Sequence, residues 1–387
     1  MSRKPNSRFL YPWREGNAFE LLVDGERFYP RMLEAIERAT TYVLLEMYLV
    51  ESGAVSGRFI DALARAARRG VQVKVLLDAF GGLGLEDADR ARLTEAGVAM
   101  VIFNPIKAAK RAHNLARDHR KLLLVDGEVA YTGGAGLTDE FDPPRAAEHR
   151  WRETMIEIHG PVVADWQRLF ARVWGREGRR PLDLPLPSPP VHPDGMYGRV
   201  EVSQTSVRQE ITRSLLKRIG AAEHRVWIST AYFIPSWRIR RALRRAARRG
   251  VDVRVVVPGP CTDHPAVRHA GRRFYGRLLL AGVRILEYQP RFLHSKVALC
   301  DQWASIGSSN FDRWNLRWNL EANQAVDDPR FAAAVARMLE GDFAAAREWG
   351  YRDWSRRPLL ARLREYLWGK VDLWLNTLDR KRAPRDG

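Results

Sequence analysis

Cysteine, lysine and long apolar runs are all scarce in this chain of 387 residues. Two cysteines, Cys261 and Cys300, cannot build a disulfide framework, which excludes the small stapled secreted folds and fits a reducing compartment. No apolar run approaches the roughly 20 residues that cross a bilayer as a helix. The N-terminal stretch Met1-Ser-Arg-Lys-Pro-Asn-Ser carries no hydrophobic segment, so it does not read as a secretory signal. Acidic residues are outnumbered, 46 against 64 basic ones, and only nine of the basic residues are lysine. The net charge of +18 implies a polyanionic partner surface, nucleic acid or anionic lipid, and charge alone does not choose between them. Because lysine is rare, the places where it recurs carry weight.

It recurs in a doubled pattern. His119-Arg-Lys121 is followed by Asp126, and His294-Ser-Lys296 by Asp301, so the spacing H-x-K-x4-D occurs twice. Each copy runs into a turn, Gly133-Gly134 in the first and Gly307-Ser308-Ser309-Asn310 in the second. One such match arises by chance roughly once in 100 chains of this composition, and two far less often. On a strand, residues i and i+2 point to one face, so each histidine projects with its lysine. Two imidazoles and two ammonium groups around one anion make a phosphodiester-cleaving pocket. One histidine attacks phosphorus, the other protonates the leaving oxygen, and the lysines hold the phosphate charge. An ammonium beside each imidazole would repel a metal ion, so neither metal nor cofactor is expected. Asp126 and Asp301 complete the two sets, at an odd offset that suits securing backbone or loop geometry better than touching phosphorus. Glu153 and Glu321, 34 and 27 positions after their histidines, are candidates to orient the imidazoles. His113, His149, His159, His192, His224, His264 and His269 lack paired spacing and read as surface or core residues.

The motifs sit in an internal duplication. Residues 61–70 (DALARAARRG) return 180 positions later as 241–250 (RALRRAARRG), each followed by an alternating strand, 71–77 and 251–257. Residues 42–48 and 226–232 read as equivalent buried strands. Each half is strand, helix, strand, helix, strand, then the His/Lys strand, which predicts an α/β fold of two related domains with mixed sheets. The expected division is a first domain over 1–175, a proline-rich linker over 176–198, a second domain over 199–350 and a basic amphipathic tail over 351–387. In that tail Leu360, Leu363, Leu367, Val371, Trp374 and Leu378 recur at helical steps. Such a helix either lies in the headgroup region of an anionic bilayer or packs its stripe on the protein. The first half also carries an extra segment, 106–118, with Lys107, Lys110, Arg111, His113 and Arg117. It borders the pocket and meets an anionic substrate, or it is a solvated loop.

The doubled motif with Gly307-Ser308-Ser309-Asn310 resembles the phospholipase D superfamily, and within it the bacterial cardiolipin synthases. Trp13-Arg-Glu-Gly-Asn17, Leu45-Glu46, Arg69-Gly70-Val71 and Asn310-Phe-Asp-Arg-Trp-Asn-Leu-Arg-Trp-Asn-Leu-Glu321 look like the B type of that family. The likeness runs from about residue 11 to about 345. It implies two pseudo-twofold-related α/β/α domains sharing one central cleft, and a ping-pong phosphatidyl transfer. His119 would attack phosphatidylglycerol while His294 protonates the departing glycerol. His294 would then deprotonate a hydroxyl of a second phosphatidylglycerol to yield cardiolipin. The resemblance also implies that the carboxylates cross over, Glu321 to His119 and Glu153 to His294, with Ser308 and Asn310 supporting the phosphate site. Lys107, Lys110, Arg111 and Trp374 are the expected contacts to substrate or membrane, and the expected location is peripheral, on the cytoplasmic face of the cell membrane. A hydrolase using water in place of the second lipid is the alternative. A nuclease fits less well, since such nucleases are often short single-motif chains, so nucleic acid is not the expected partner. The acceptor alcohol and the oligomeric state stay open. Two departures stand out: Gly136 where the family commonly has an amide, and Ala231 where it usually has proline.

Overall fold

The computed structural model describes residues 9–358, apart from 107–113, 115, 145, 147–148, 205–207 and 312–318. The first half is built from β1 (Arg14–Val23), α1 (Gly25–Arg38), β2 (Tyr42–Met47), α2 (Ala54–Arg68), β3 (Gln72–Asp78), α3 (Asp87–Glu95), β4 (Ala99–Phe103), β5 (Lys121–Val125), β6 (Val129–Gly133), β7 (Thr154–His159) and α4 (Val163–Gly178). Residues 179–195 carry no helix or strand and lead into the second half. That half contains β8 (Met196–Gln204), β9 (Arg208–Gln209), α5 (Glu210–Ala221), β10 (Arg225–Thr230), α6 (Trp237–Arg248), β11 (Asp252–Pro258), α7 (Pro265–Arg272), α8 (Tyr275–Leu279), β12 (Arg284–Tyr288), β13 (Lys296–Cys300), β14 (Trp303–Gly307), β15 (Leu320–Asp327), α9 (Pro329–Ala344), β16 (Ala346–Trp349) and α10 (Tyr351–Ser355).

The halves do not form separate sheets. They join edge to edge in one sheet ordered β16-β12-β11-β10-β13-β14-β15-β8-β1-β7-β6-β5-β2-β3-β4, with β9 added to β8. Apart from β16 at one edge, the order reads as a palindrome about the antiparallel β8–β1 contact, as a pseudo-twofold axis requires. In each half three strands run parallel, β2-β3-β4 and β10-β11-β12. The His/Lys strands β5 and β13 lie antiparallel against β2 and β10.

Strand alternation divides the sheet between two faces. On β2, Tyr42 and Leu44 enter a core that α4 and α9 cover and that spans both halves, while Val43 and Leu45 enter a core under α1 and α2. On β13, Val297 and Leu299 belong to the shared core and Ala298 and Cys300 to a third core under α5 and α6. The repeat helices α2 and α6 end alike. Gly70 and Gly250 stand at φ +91° and +90°, where a side chain is strained, and let the chain turn directly into β3 and β11. Because β5 and β13 are antiparallel to their neighbours, their first residues lie at the sheet end where the parallel strands finish. Ligands of open α/β sheets bind at that end.

Candidate active site

His119 and His294 stand immediately before β5 and β13, and two backbone bridges hold them together across the pseudo-dyad. The His119 amide donates to the Leu320 carbonyl at 3.0 Å and the Leu320 amide to the Arg117 carbonyl at 2.8 Å. The second copy repeats this. The His294 amide donates to the Arg152 carbonyl at 2.8 Å, and the Arg152 amide to the Phe292 carbonyl at 2.8 Å. Leu320 and Arg152 precede Glu321 and Glu153, so each glutamate is delivered to the histidine of the other half. His119 Nδ1 lies 3.0 Å from Glu321 Oε1, and His294 Nδ1 lies 2.5 Å from Glu153 Oε2. Both glutamates are fully buried.

The lysines are held by their own motifs. Lys121 Nζ donates to the His119 carbonyl at 2.7 Å, and Lys296 Nζ donates to the His294 carbonyl and lies 3.2 Å from Glu153 Oε2. The Tyr48 ring packs 4.6 Å from the His119 ring and takes Lys121 Nζ at 5.0 Å from its centroid. His294 is more enclosed, with Phe141, Trp151 and Phe292 rings at 5.5, 5.2 and 5.6 Å. Burial holds all four basic groups toward their neutral forms, and neighbouring lysines add to it for His119, Lys121 and His294. Burial and then Lys296 push His294 down to about 4, burial pushes Lys121 down to about 7, and His119 and Lys296 are lowered for the same first reason. For Glu153 burial acts upward, but Lys296 and His294 outweigh it and keep the carboxyl below its usual range.

The two turns differ. In the second copy the Ser308 hydroxyl donates to Glu321 Oε2 and accepts from the Ala322 amide at 3.1 Å. In the first copy that position is Gly134, where an added Cβ would fall 2.2 Å from Glu153 Oε2. Glu153 takes its support instead from the Thr154 amide at 2.8 Å. Asn310 is fully buried, and neither its amide nitrogen nor its oxygen has a partner among the described residues.

Asp126 and Asp301 stand just past the far ends of β5 and β13, seven residues and about 23 Å of extended chain from the histidines. Both adopt left-handed backbone, at φ 53° and 50°. Asp126 accepts from the amides of Thr40, Thr41 and Tyr42, and Asp301 from those of Glu223, His224 and Arg225. Each carboxylate therefore ties the turn after the His/Lys strand to the start of the neighbouring parallel strand. Arg117 turns inward, 3.5 Å from Asp78, instead of offering its charge to the cleft. Lys107, Lys110, Arg111, His113 and Trp374 lie outside the described residues.

Spacing carries no signal for several groups that complete the site. Behind His119, on the reverse face of the strand, Arg120 is buried between Asp118 and Glu46, at 2.9 and 2.6 Å. Asp78 accepts from the Asp118 amide at 2.9 Å and, through its other oxygen, from Phe80 and Gly81. Arg152 bridges the halves through a bidentate pair with Asp342 at 2.8 and 3.2 Å. The charged alternation Asp118-His-Arg-Lys121 was the available clue, since a strand with charges on both faces must satisfy each set separately.

A duplicated fold with two His/Lys/Glu clusters meeting at one cleft defines a phospholipase D-like protein. The profile described as "Cardiolipin synthase, PLD-like domain" matches residues 32–174 and 215–343. The chain is 35% identical to cardiolipin synthase B of Salmonella typhimurium over 85% of its own length and 81% of that protein's. It is 34% identical to cardiolipin synthase B of Escherichia coli K12, over 86% and 82%, and 36% identical to cardiolipin synthase A of Pseudomonas aeruginosa, over 88% and 70%. The phosphatidylserine synthase of Haemophilus influenzae shares the fold, with a TM-score of 0.69 over 93% of this chain and 94% of that one at 14% identity. The chain belongs to the cardiolipin synthase family of phospholipase D-like phosphatidyltransferases. Among the described residues no helix is long and apolar enough to cross a membrane.

Proposed function

We propose that this protein joins two phosphatidylglycerol molecules into cardiolipin and glycerol through a phosphatidyl-histidine. In the first displacement His119 Nε2 forms a bond to phosphorus as the bond to the glycerol oxygen breaks, and that oxygen takes a proton from His294. In the second, a hydroxyl of another phosphatidylglycerol gives its proton to His294 while its oxygen attacks phosphorus and the N–P bond breaks. Lys121, Lys296 and the amide of Asn310 hold the phosphate oxygens. Glu321 and Glu153 keep the Nδ1 side of each ring occupied, so Nε2 is the reacting atom.

The observation that carries this reading is the exchange of carboxylates across the pseudo-dyad, since it makes both histidines part of one site. Incubating purified protein with labelled phosphatidylglycerol and resolving the lipids by mass tests it; cardiolipin with equimolar glycerol is expected. Phosphatidic acid as the sole product would point to hydrolysis instead. Burial lowers both imidazoles, so the exchanged assignment, with His294 as nucleophile, is open to the same chemistry. Mapping the phosphorylated histidine by acid-free quench decides between the two.

The lipid enters from the inner leaflet, with the protein peripheral on the cytoplasmic face. Supporting this, the loops at the active-site end of the sheet expose Phe80, Leu83 and Ile106, the first residue of α6 exposes Trp237, and the chain carries +18.

A further inference from the structure

The loops that follow β3 and β11 occupy equivalent places beside the cleft and carry opposite chemistry. The first, after Asp78, presents Phe80 and Leu83, which are 56% and 65% exposed. The second, after Pro258, presents Thr262, Asp263 and His264. Asp263 accepts a hydrogen bond from the Tyr232 hydroxyl, and His264 Nε2 lies 3.7 Å from the same carboxylate oxygen. The Tyr232 ring stands edge-on to His294 with centroids 6.5 Å apart, and 5.7 Å from the His264 ring. No arginine or lysine lies within salt-bridge range of Asp263 among the described residues; its one such neighbour is His264.

A carboxylate at the rim of a phosphate pocket repels the phosphate. Beyond accepting from Tyr232, it suits a ligand that brings a hydrogen-bond donor of its own. The reaction has one, the hydroxyl-bearing headgroup that leaves in the first displacement and arrives in the second. Both pass through the same place, next to the group that moves the proton.

We propose that Tyr232 and Asp263 form the alcohol subsite, holding the polyol headgroup of the departing and incoming substrate beside His294 and so favouring a lipid alcohol over water. This rests on His294 acting as the acid and base of the phosphatidyl transfer. The reacting hydroxyl gives its proton to His294 as its oxygen bonds to phosphorus and the His119 N–P bond breaks. The neighbouring hydroxyl of the same headgroup donates to Asp263.

The test uses phosphatidyl-p-nitrophenol as donor, glycerol as acceptor and the full-length protein. Released p-nitrophenol counts the phosphatidyl-enzyme formed. Phosphatidylglycerol and phosphatidic acid report how that one intermediate divides between glycerol and water. In Asp263→Ala the ratio of transfer to hydrolysis falls about tenfold, the worth of one hydrogen bond to a charged group, whatever the total turnover. Tyr232→Phe lowers it less, and Asp263→Asn, which still accepts from a hydroxyl, falls between. A subsite is overturned if the ratio stays at the wild-type value while total turnover falls, the pattern of a purely structural role, or if nothing changes. Should Asp263→Ala fail to fold, Tyr232→Phe decides by the same ratio. A wild-type protein that releases no p-nitrophenol and forms no phosphatidyl-histidine removes the transferase reading itself, and this inference with it.

Discussion

Behind His119 the first half buries Glu46, Arg120 and Asp118; behind His294 the second half places Ser229 and Ser295, whose hydroxyls meet at 2.5 Å. The registers make these equivalent positions, since Glu46 pairs with Leu122 and Ser229 with Val297. One backbone therefore carries an ion network on one side of the dyad and a neutral hydroxyl pair on the other. Burial pushes Glu46 well above the usual carboxylate range, while Arg120 keeps Asp118 below it against burial. Strand geometry is what the duplication preserved. The electrostatics around each histidine were free to diverge, which suits two imidazoles with different tasks.

The sharpest way to break this comparison is to remove each histidine. With phosphatidylglycerol, His119→Ala and His294→Ala each lose more than about 1,000-fold in turnover, since nucleophile and acid are both needed. With phosphatidyl-p-nitrophenol, whose leaving group needs no proton, the two part company. His294→Ala still gives a burst of p-nitrophenol and a trapped phosphatidyl-enzyme, whereas His119→Ala gives neither. The reverse pattern would exchange the roles.

Next in size are the crossed glutamates. Glu321→Gln and Glu153→Gln each lower turnover by about 10- to 100-fold, the usual cost of losing the partner of a working imidazole. The p-nitrophenol burst weakens with Glu321→Gln and survives Glu153→Gln, because each acts on the histidine of the opposite half. Burst kinetics that follow the glutamate's own half would contradict the pairing.

The smallest effect on chemistry, though not on folding, belongs to the reverse face. Arg120→Met leaves Asp118 buried without its partner and lowers stability by about 3–5 kcal/mol. Ser295→Ala removes one neutral hydrogen bond and costs about 1 kcal/mol. Urea unfolding of the two variants measures the difference, and equal losses would mean that the halves are electrostatically alike after all.

Much of the site is legible in the residues alone. The i, i+2 spacing of His119 with Lys121 and His294 with Lys296 places each pair on one side of a strand. The repeat around Gly70 and Gly250 announces the duplication. The odd offset of Asp126 and Asp301 points away from phosphorus, and both stand where they tie down backbone. Asp263 and Tyr232 carry no such signal. They lie in loops, and loop residues meet the cleft only through the packing of helices and strands distant in sequence. His264, which shows no spacing pattern, stands beside them for the same reason.

Taken by itself, the chain of amino acids determined which side chains share a face, where helices stop and which strands are buried, because these depend on local periodicity and backbone sterics. It also determined the family, through two motifs too specific to arise by chance. Tertiary structure alone decided that the sheets fuse at β1 and β8; the crossed pairings, His119 with Glu321 over 202 positions and His294 with Glu153 over 141, follow from no local spacing and were expected only through the family resemblance. A carboxylate orients an imidazole only within hydrogen-bond reach, and that reach is set by sheet order across the dyad.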